Sequence, residues 1–226
     1  MRIGLPREFF ADEALDSGVR SRVEYALALL EGQGAELVEI SLPSTAYAVA
    51  VYYILAPAEA SSNLSRYDGV RYGKRIDHGD GIIPLYRNSR AEGFGPEVKR
   101  RIILGTYVLS SGYSGKYYLK AQKARTLIQG EYKEAFKNVD VIMGPVSPTP
   151  ARKIGEHSES PLEDYLADVY TISANLAGIC GISVPCGTVE REGSQLPVGL
   201  QILGPHLAES RILRAGRAWE QLRDAG

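Results

Sequence analysis

The chain of 226 residues is poor in the residues and patterns that announce most chemistries. It holds two cysteines, Cys180 and Cys186, too few for a disulfide framework or a four-ligand zinc site. Both lie in the apolar run Gly178-Ile-Cys-Gly-Ile-Ser-Val-Pro-Cys186 and read as small buried thiols of a reducing compartment. The three histidines, His78, His157 and His206, stand far apart, so no helical i, i+4 pair is available to grip a metal. There is no G-x-S-x-G elbow, no P-loop, no G-x-G-x-x-G and no Gly-Gly dipeptide. A Gly-rich catalytic loop brings backbone N–H groups onto an oxyanion or phosphate, and without a Gly-Gly pair the chain offers no such loop. Gly112-Tyr-Ser-Gly115 is one residue short of the elbow pattern, so Ser114 reads as part of a surface turn. No complete catalytic constellation is present.

Charge of one sign is lacking too. The chain carries 26 Lys+Arg against 27 Asp+Glu, a net of −1, which argues against a broad basic face for nucleic-acid backbone as its main business. Hydrophobic residues at 44% and charged residues at 23% exclude disordered and fibrous classes. The longest apolar stretch, Ala46 to Ala58, is too short to span a bilayer and contains Pro57. The opening Met-Arg-Ile-Gly-Leu-Pro-Arg-Glu becomes charged before any apolar signal region develops, so the sequon at Asn63 has no secretory context. The expectation is a cytoplasmic protein with no membrane partner.

What the sequence does contain alternates between strand and helix patterns. Arg2 to Pro6 reads as a strand, and Ser17 to Gln33 as a helix with Val19, Val23, Ala26, Leu29 and Leu30 at helical spacing and Gly34 as its stop. Ala35 to Ile40 alternates as a half-buried strand does. This start points to an α/β architecture. Ala46 to about Leu64 is apolar on nearly all sides and reads as a buried helix kinked at Pro57. Residues 66 to 95 have the turn-rich, polar and aromatic composition of a long functional loop, in which Arg66, Asp68, Arg71 and Tyr72 would shape a pocket or a subunit contact. Helices are expected from Pro96 to about Ser111, from Tyr117 to Phe136, from Pro161 to about Ala177 and from Leu207 to Arg223. Strands are expected at Val139–Met143, Gly181–Pro185 and Pro197–Leu203. With no repeat and no linker, residues 1–226 read as one unit without a second domain.

The helix from Pro96 carries an anomaly. Val98, Ile102, Gly105 and Leu109 share one face, and Arg101 falls on its edge beside Val108. A guanidinium held against an apolar face needs an anion, and its planar fork suits a carboxylate. That anion is either a bound ligand or an internal Asp or Glu.

Four stretches then carry a family resemblance. They are Tyr52-Tyr-Ile-Leu-Ala-Pro-Ala-Glu-Ala-Ser-Ser-Asn-Leu-Ser-Arg-Tyr-Asp-Gly-Val-Arg-Tyr-Gly73, Gly93-Phe-Gly-Pro-Glu-Val-Lys-Arg-Arg-Ile-Ile-Leu-Gly-Thr-Tyr107, Lys120-Ala-Gln-Lys-Ala-Arg-Thr-Leu-Ile128, and the run from Asn175-Leu-Ala-Gly through Ser183-Val-Pro-Cys-Gly187 to Leu196-Pro-Val-Gly-Leu-Gln-Ile202. Together they resemble the amidase-signature enzymes and, within them, the A subunits of aspartyl/glutamyl-tRNA amidotransferases. The resemblance covers essentially the whole chain but only the carboxy-terminal half of such an A subunit. The turn Tyr113-Ser-Gly-Lys116 departs from the bulkier Tyr-Asp type common in the family.

The resemblance implies an amidase-signature fold, a mixed β-sheet covered by helices on both faces and present here as a partial domain. It implies that the Ser–cis-Ser–Lys triad of the family belongs to the amino-terminal half, so this chain alone is expected to be inactive and to hold no catalytic residue, metal or cofactor. It assigns substrate binding by motif position. Arg101 would clamp the α-carboxylate of glutamine, Asp168 would accept from the α-ammonium, and Tyr52 would add a directional hydroxyl. The implied partners are the B and C subunits of the amidotransferase. ATP and magnesium would be used by the partner, and tRNA would be reached through the complex rather than directly. Two other readings stay open: an amidase-signature hydrolase of small amides, and a non-catalytic amino-acid-binding or interaction protein.

Overall fold

The computed structural model describes residues 1–11, 13–156 and 165–225. Two compact units are present, one made of Met1–Val49 with Arg125–Gly226 and the other of Ala50–Ala124.

The first unit is built on a five-stranded mixed sheet in the order β2-β1-β3-β5-β4. Its strands are β1 (Arg2–Pro6), β2 (Glu36–Ile40), β3 (Val141–Pro145), β4 (Cys180–Arg191) and β5 (Ser194–Gly204). β1 runs parallel to β2, with Ile3 opposite Leu37, and parallel to β3, with Ile3 opposite Val141. β3 and β4 each run antiparallel to β5. The parallel β1–β2 step needs a crossover, supplied by α1 (Arg7–Phe10) and α2 (Ser17–Gly32). All five residues of β3 are buried, and since successive strand side chains point to opposite faces, both faces of the sheet are covered there. Val141 and Met143 join one core cluster with Val19, Val23 and Leu27 of α2 and Ile212, Ala215 and Trp219 of the last helix, α8 (Glu209–Ala225). The fold is the mixed α/β architecture expected from the sequence.

Local chemistry explains where these elements start and turn. Asp16 caps α2, its Oδ1 accepting from the backbone N–H of Gly18 at 2.9 Å and Val19 at 3.0 Å. Its other oxygen accepts from Arg191. Trp219 is fully buried and donates from Nε1 to the Pro185 carbonyl at 2.9 Å, tying α8 to β4. β4 and β5 form a hairpin closed by Glu192 and Gly193, with φ of 48° and 74°, the doubly positive geometry of a two-residue hairpin turn.

Three expectations are corrected. The two short strands at 181–185 and 197–203 are the inner parts of hairpin strands of 12 and 11 residues. Their outer ends, Thr188–Arg191 and Ser194–Gln195, are half-buried or exposed and, Val189 apart, polar, so backbone pairing extends past the hydrophobic signal. The helix expected from Pro161 to Ala177 begins outside the described residues, as does His157. Its described part is a helical stretch at 165–167, a turn at 168–171 and α7 (Ile172–Ala177). Leu166, within the expected helix, is 52% exposed.

The second unit contains no strand among its described residues. It comprises most of α3 (Ala48–Asn63), α4 (Ile82–Gly93), α5 (Pro96–Leu109) and the first turns of α6 (Tyr118–Ala135). The third correction falls here, because α4 occupies the second part of the expected loop 66–95. Only Leu85 and Ser89 of α4 are buried, one turn apart, while Ile82 and Ile83 are exposed, so the helix shows no apolar stripe in sequence. Pro57 lies inside α3.

Candidate substrate-binding site

The second unit brings Tyr52 and Arg101 together across 49 positions of sequence. Arg101 donates from Nη1 to the Tyr52 hydroxyl at 3.0 Å and from Nε to Glu97 Oε1 at 2.9 Å. Its guanidinium carbon lies 5.8 Å from the centroid of the Tyr52 ring and 5.6 Å from that of Tyr53, and the two rings meet edge to face at 87°. Cation–π attraction therefore adds to the hydrogen bonds. The side chain of Arg101 is 29% exposed. Burial opposes its charge, but hydrogen bonding to Tyr52 and Glu97 outweighs that effect and holds its pKa above the ordinary value. Arg101 is thus a fixed cation in a tyrosine-walled cradle. Its Nη2 has no hydrogen-bond partner among the described residues.

Helix packing positions the pair. Gly105, one turn after Arg101, sits so close to the Pro57 carbonyl of α3 that a Cβ there would overlap the oxygen deeply, and the same Cβ would come within 2.9 Å of Ser61. Only glycine lets the two backbones approach this closely. The buried face of α5 runs through Gly105 and Val108, with Val98, Arg101 and Ile102 half-buried, while Leu109 is 38% exposed. The face is rotated from the one expected, which moves Arg101 from its edge toward its middle. Tyr118 of α6 donates to Glu59 of α3 at 3.2 Å and accepts from Gln122 at 3.1 Å.

The polar segment before α4 is pinned by side chains. Asp68 Oδ1 accepts from the N–H groups of Val70 at 2.8 Å and Arg71 at 3.0 Å, which lowers its pKa. Arg90 of α4 donates from Nη1 to the carbonyls of Leu64 and Tyr67, both at 3.0 Å, and its guanidinium carbon lies 5.0 Å from the Phe94 ring centroid. Arg66 donates to the Asn63 carbonyl, and Tyr72 is 57% exposed. These residues hold a loop shape, and none of them has a hydrogen bond to Arg101.

Asp168 belongs to the first unit. It is exposed and lies in the turn before α7, where its carbonyl accepts from the N–H groups of Thr171 and Ile172, both at 3.0 Å. Cavities of about 750 and 860 Å³ open among the described residues of that unit, and the second of these is lined by Ala167 and Val169 on either side of Asp168. Among the described residues no group of three His, Cys, Asp or Glu could hold a metal ion, and no helix is long and apolar enough to cross a membrane. Cys186 is buried and its thiol is pushed up to about 11 by desolvation, which makes it unreactive. Sequence reasoning missed Glu97 and Tyr53 as members of the Arg101 cradle. The Glu97–Arg101 spacing of four on one helix was the available signal.

The molecule thus contains a mixed α/β sheet unit and a helical unit that holds a cation and a tyrosine hydroxyl side by side, a pair with the chemistry to grip a small anionic group. The family follows from comparison. A family model described as Amidase matches residues 1–213, and the chain belongs to that family. Within it, the chain is 53% identical over 224 residues to the A subunit of glutamyl-tRNA(Gln) amidotransferase from Desulfatibacillum aliphaticivorans, covering 99% of this chain and 45% of that one. It is 57% identical over 221 residues to the protein of the same name from Trichlorobacter lovleyi, covering 98% and 45%. Among solved structures, the A subunit of glutamyl-tRNA(Gln) amidotransferase from Thermotoga maritima matches with a TM-score of 0.69 at 38% identity, covering 96% of this chain and 41% of that one. The chain therefore spans less than half the length of these relatives.

Proposed function

We propose that this chain forms the amino-acid pocket of a glutamine-dependent amidase that supplies ammonia for tRNA-linked amidation. The observation that carries the reading is the 3.0 Å hydrogen bond between Arg101 Nη1 and the Tyr52 hydroxyl, within a cradle that keeps the guanidinium charged and leaves its Nη2 without a hydrogen bond among the described residues. Glutamine is a zwitterion whose reacting amide is neutral, so it must be recognised through its charged end. Arg101 clamps the α-carboxylate with parallel hydrogen bonds, and Tyr52, whose oxygen accepts from Arg101, turns its own proton toward the same carboxylate. Asp168 takes the α-ammonium, an assignment that rests on the family resemblance. The Ser–cis-Ser–Lys triad lies outside this chain. It would form an acyl-enzyme at the side-chain amide, release ammonia and then hydrolyse, with the carboxylate grip keeping the amide in place. The ammonia passes to the partner B and C subunits, where ATP and magnesium serve amidation of Glu-tRNA(Gln) or Asp-tRNA(Asn).

The test is Arg101→Gln in the assembled amidase. Losing the charged partner of a carboxylate costs about 2 kcal/mol, so KM for glutamine should rise roughly thirtyfold while kcat changes little. An unchanged KM would turn the reading toward a hydrolase of small uncharged amides. Glutamine binding by the assembly without any turnover would turn it toward a binding module.

A further inference from the structure

Arg101 meets an internal carboxylate as well as Tyr52, and a guanidinium paired one to one with Glu97 would present no net charge to a ligand. The structure holds a third member. Glu97 uses Oε1 for Arg101 Nε at 2.9 Å and Oε2 for Arg100 Nη1 at 2.6 Å. One carboxylate thus bridges two consecutive arginines, and the cluster carries a net +1. Glu97 stands in the first turn of α5, where a negative charge is favoured by the helix dipole, and one turn before Arg101, the favourable order for an acid–base pair. It holds the guanidinium by its Nε side, so the outer hydrogen of Nη2 points away from it, and Nη2 has no hydrogen-bond partner among the described residues.

We propose that Glu97 is the positioning residue of Arg101 and that Arg100 is the counter-charge that keeps the pair cationic. This rests on the glutamine reading above and deepens it. Glu97 stops the long arginine side chain from rotating, so the ligand does not bear that ordering cost. Arg100 offsets the repulsion Glu97 would otherwise exert on the α-carboxylate.

Two replacements of Glu97 separate positioning from electrostatics. Glu97→Gln keeps an oxygen that accepts from Nε and removes the negative charge, so orientation is retained and the site becomes more cationic. Glu97→Ala removes both. In the assembled amidase, calorimetric titration with glutamine should show affinity weakened about tenfold by Glu97→Ala, in line with the cost of ordering one long side chain. Glu97→Gln should leave it unchanged or tighten it by up to about threefold. Arg100→Gln should weaken binding about threefold at low ionic strength and hardly at all at about 1 M salt, because a charge this exposed is screened. Arg100→Lys should restore the low-salt value.

Melting curves guard against a folding artefact, and they should move little because the Glu97 and Arg100 side chains are 45% and 56% exposed. The proposal is overturned if the two Glu97 variants shift affinity in the same direction by the same factor, or if Arg100→Gln has no effect at low salt. Arg101→Gln is the control. If it leaves glutamine binding intact, the pocket reading itself fails. If it abolishes binding while the Glu97 variants match wild type, only the positioning role fails.

Discussion

The two units solve the problem of staying folded in different ways. The first buries a mixed sheet whose partners are distant in sequence, such as Ile3 with Val141 and Ile142 with Leu203, around a core that includes fully buried Leu200, Ile202 and Trp219. The second, Ala50–Ala124, relies on close helix approach at Gly105 and on side chains that tie loops by their carbonyls, as Arg90 does. Their compositions differ as much. Ala50–Ala124 holds 12 Lys+Arg against 6 Asp+Glu and 9 of the 14 tyrosines, whereas the first unit holds 14 against 21. A net charge near zero for the whole chain hides a basic, tyrosine-rich unit and an acidic one. The Tyr–Arg pair lies in the basic unit, where an anion is attracted and aromatic walls flank a cation.

Substitutions can break or sharpen this contrast. The largest effect is expected in the first unit. Trp219→Ala should cost about 3–5 kcal/mol, because it empties a fully buried ring and removes the shorter of two side-chain hydrogen bonds to the Pro185 carbonyl. Denaturant unfolding would measure this, and hydrogen exchange should show the loss in β4, β5 and α8. Gly105→Ala should cost about 1–3 kcal/mol by forcing α5 off α3. Exchange should then rise in α3 and α5, and the Arg101–Tyr52 hydrogen bond should be lost, visible as a weakened grip on glutamine. If protection fell equally in the sheet, the units would not be separable in stability.

The smallest effect, about 1 kcal/mol, is expected from Asp16→Ala through loss of the α2 cap. Burial raises the pKa of Asp16, but its bonds to Val19, Arg191 and Gly18 outweigh burial and hold it below the ordinary range. Its contribution is therefore full above the ordinary carboxylate range and fades as pH falls through the depressed folded value. The stability gap between wild type and Asp16→Ala should narrow on acidification in that window, as thermal melts at stepped pH would show. A gap that stayed constant would mean that the carboxylate charge plays no part in the cap.

Much of this architecture is legible in the residue pattern. The helix at Ser17–Gly32 declares itself through Val19, Val23, Ala26 and Leu30, and α6 begins within one residue of expectation. Elements held by backbone pairing or by single contacts are harder to read. The outer hairpin strands carry exposed polar residues that no hydrophobic period marks, and α4 buries only Leu85 and Ser89. Arg101 stands out through its place near an apolar face. The alternative of ligand or internal acid stays open at that level, and the structure shows an internal acid, Glu97, already on its Nε.

The sequence by itself determined the family, the alternation of strand and helix, and the residue types of the candidate pocket, because these depend on local pattern and side-chain identity. Only the tertiary structure decided that α3 and α5 approach closely enough at Gly105 to join Tyr52 to Arg101, and that Glu97 bridges two arginines there. The approach of α3 and α5 joins residues far apart along the chain, is fixed by packing and leaves no period in the sequence. The Glu97 bridge, in contrast, lies at spacings of three and four on one helix, and only its geometry needed the structure.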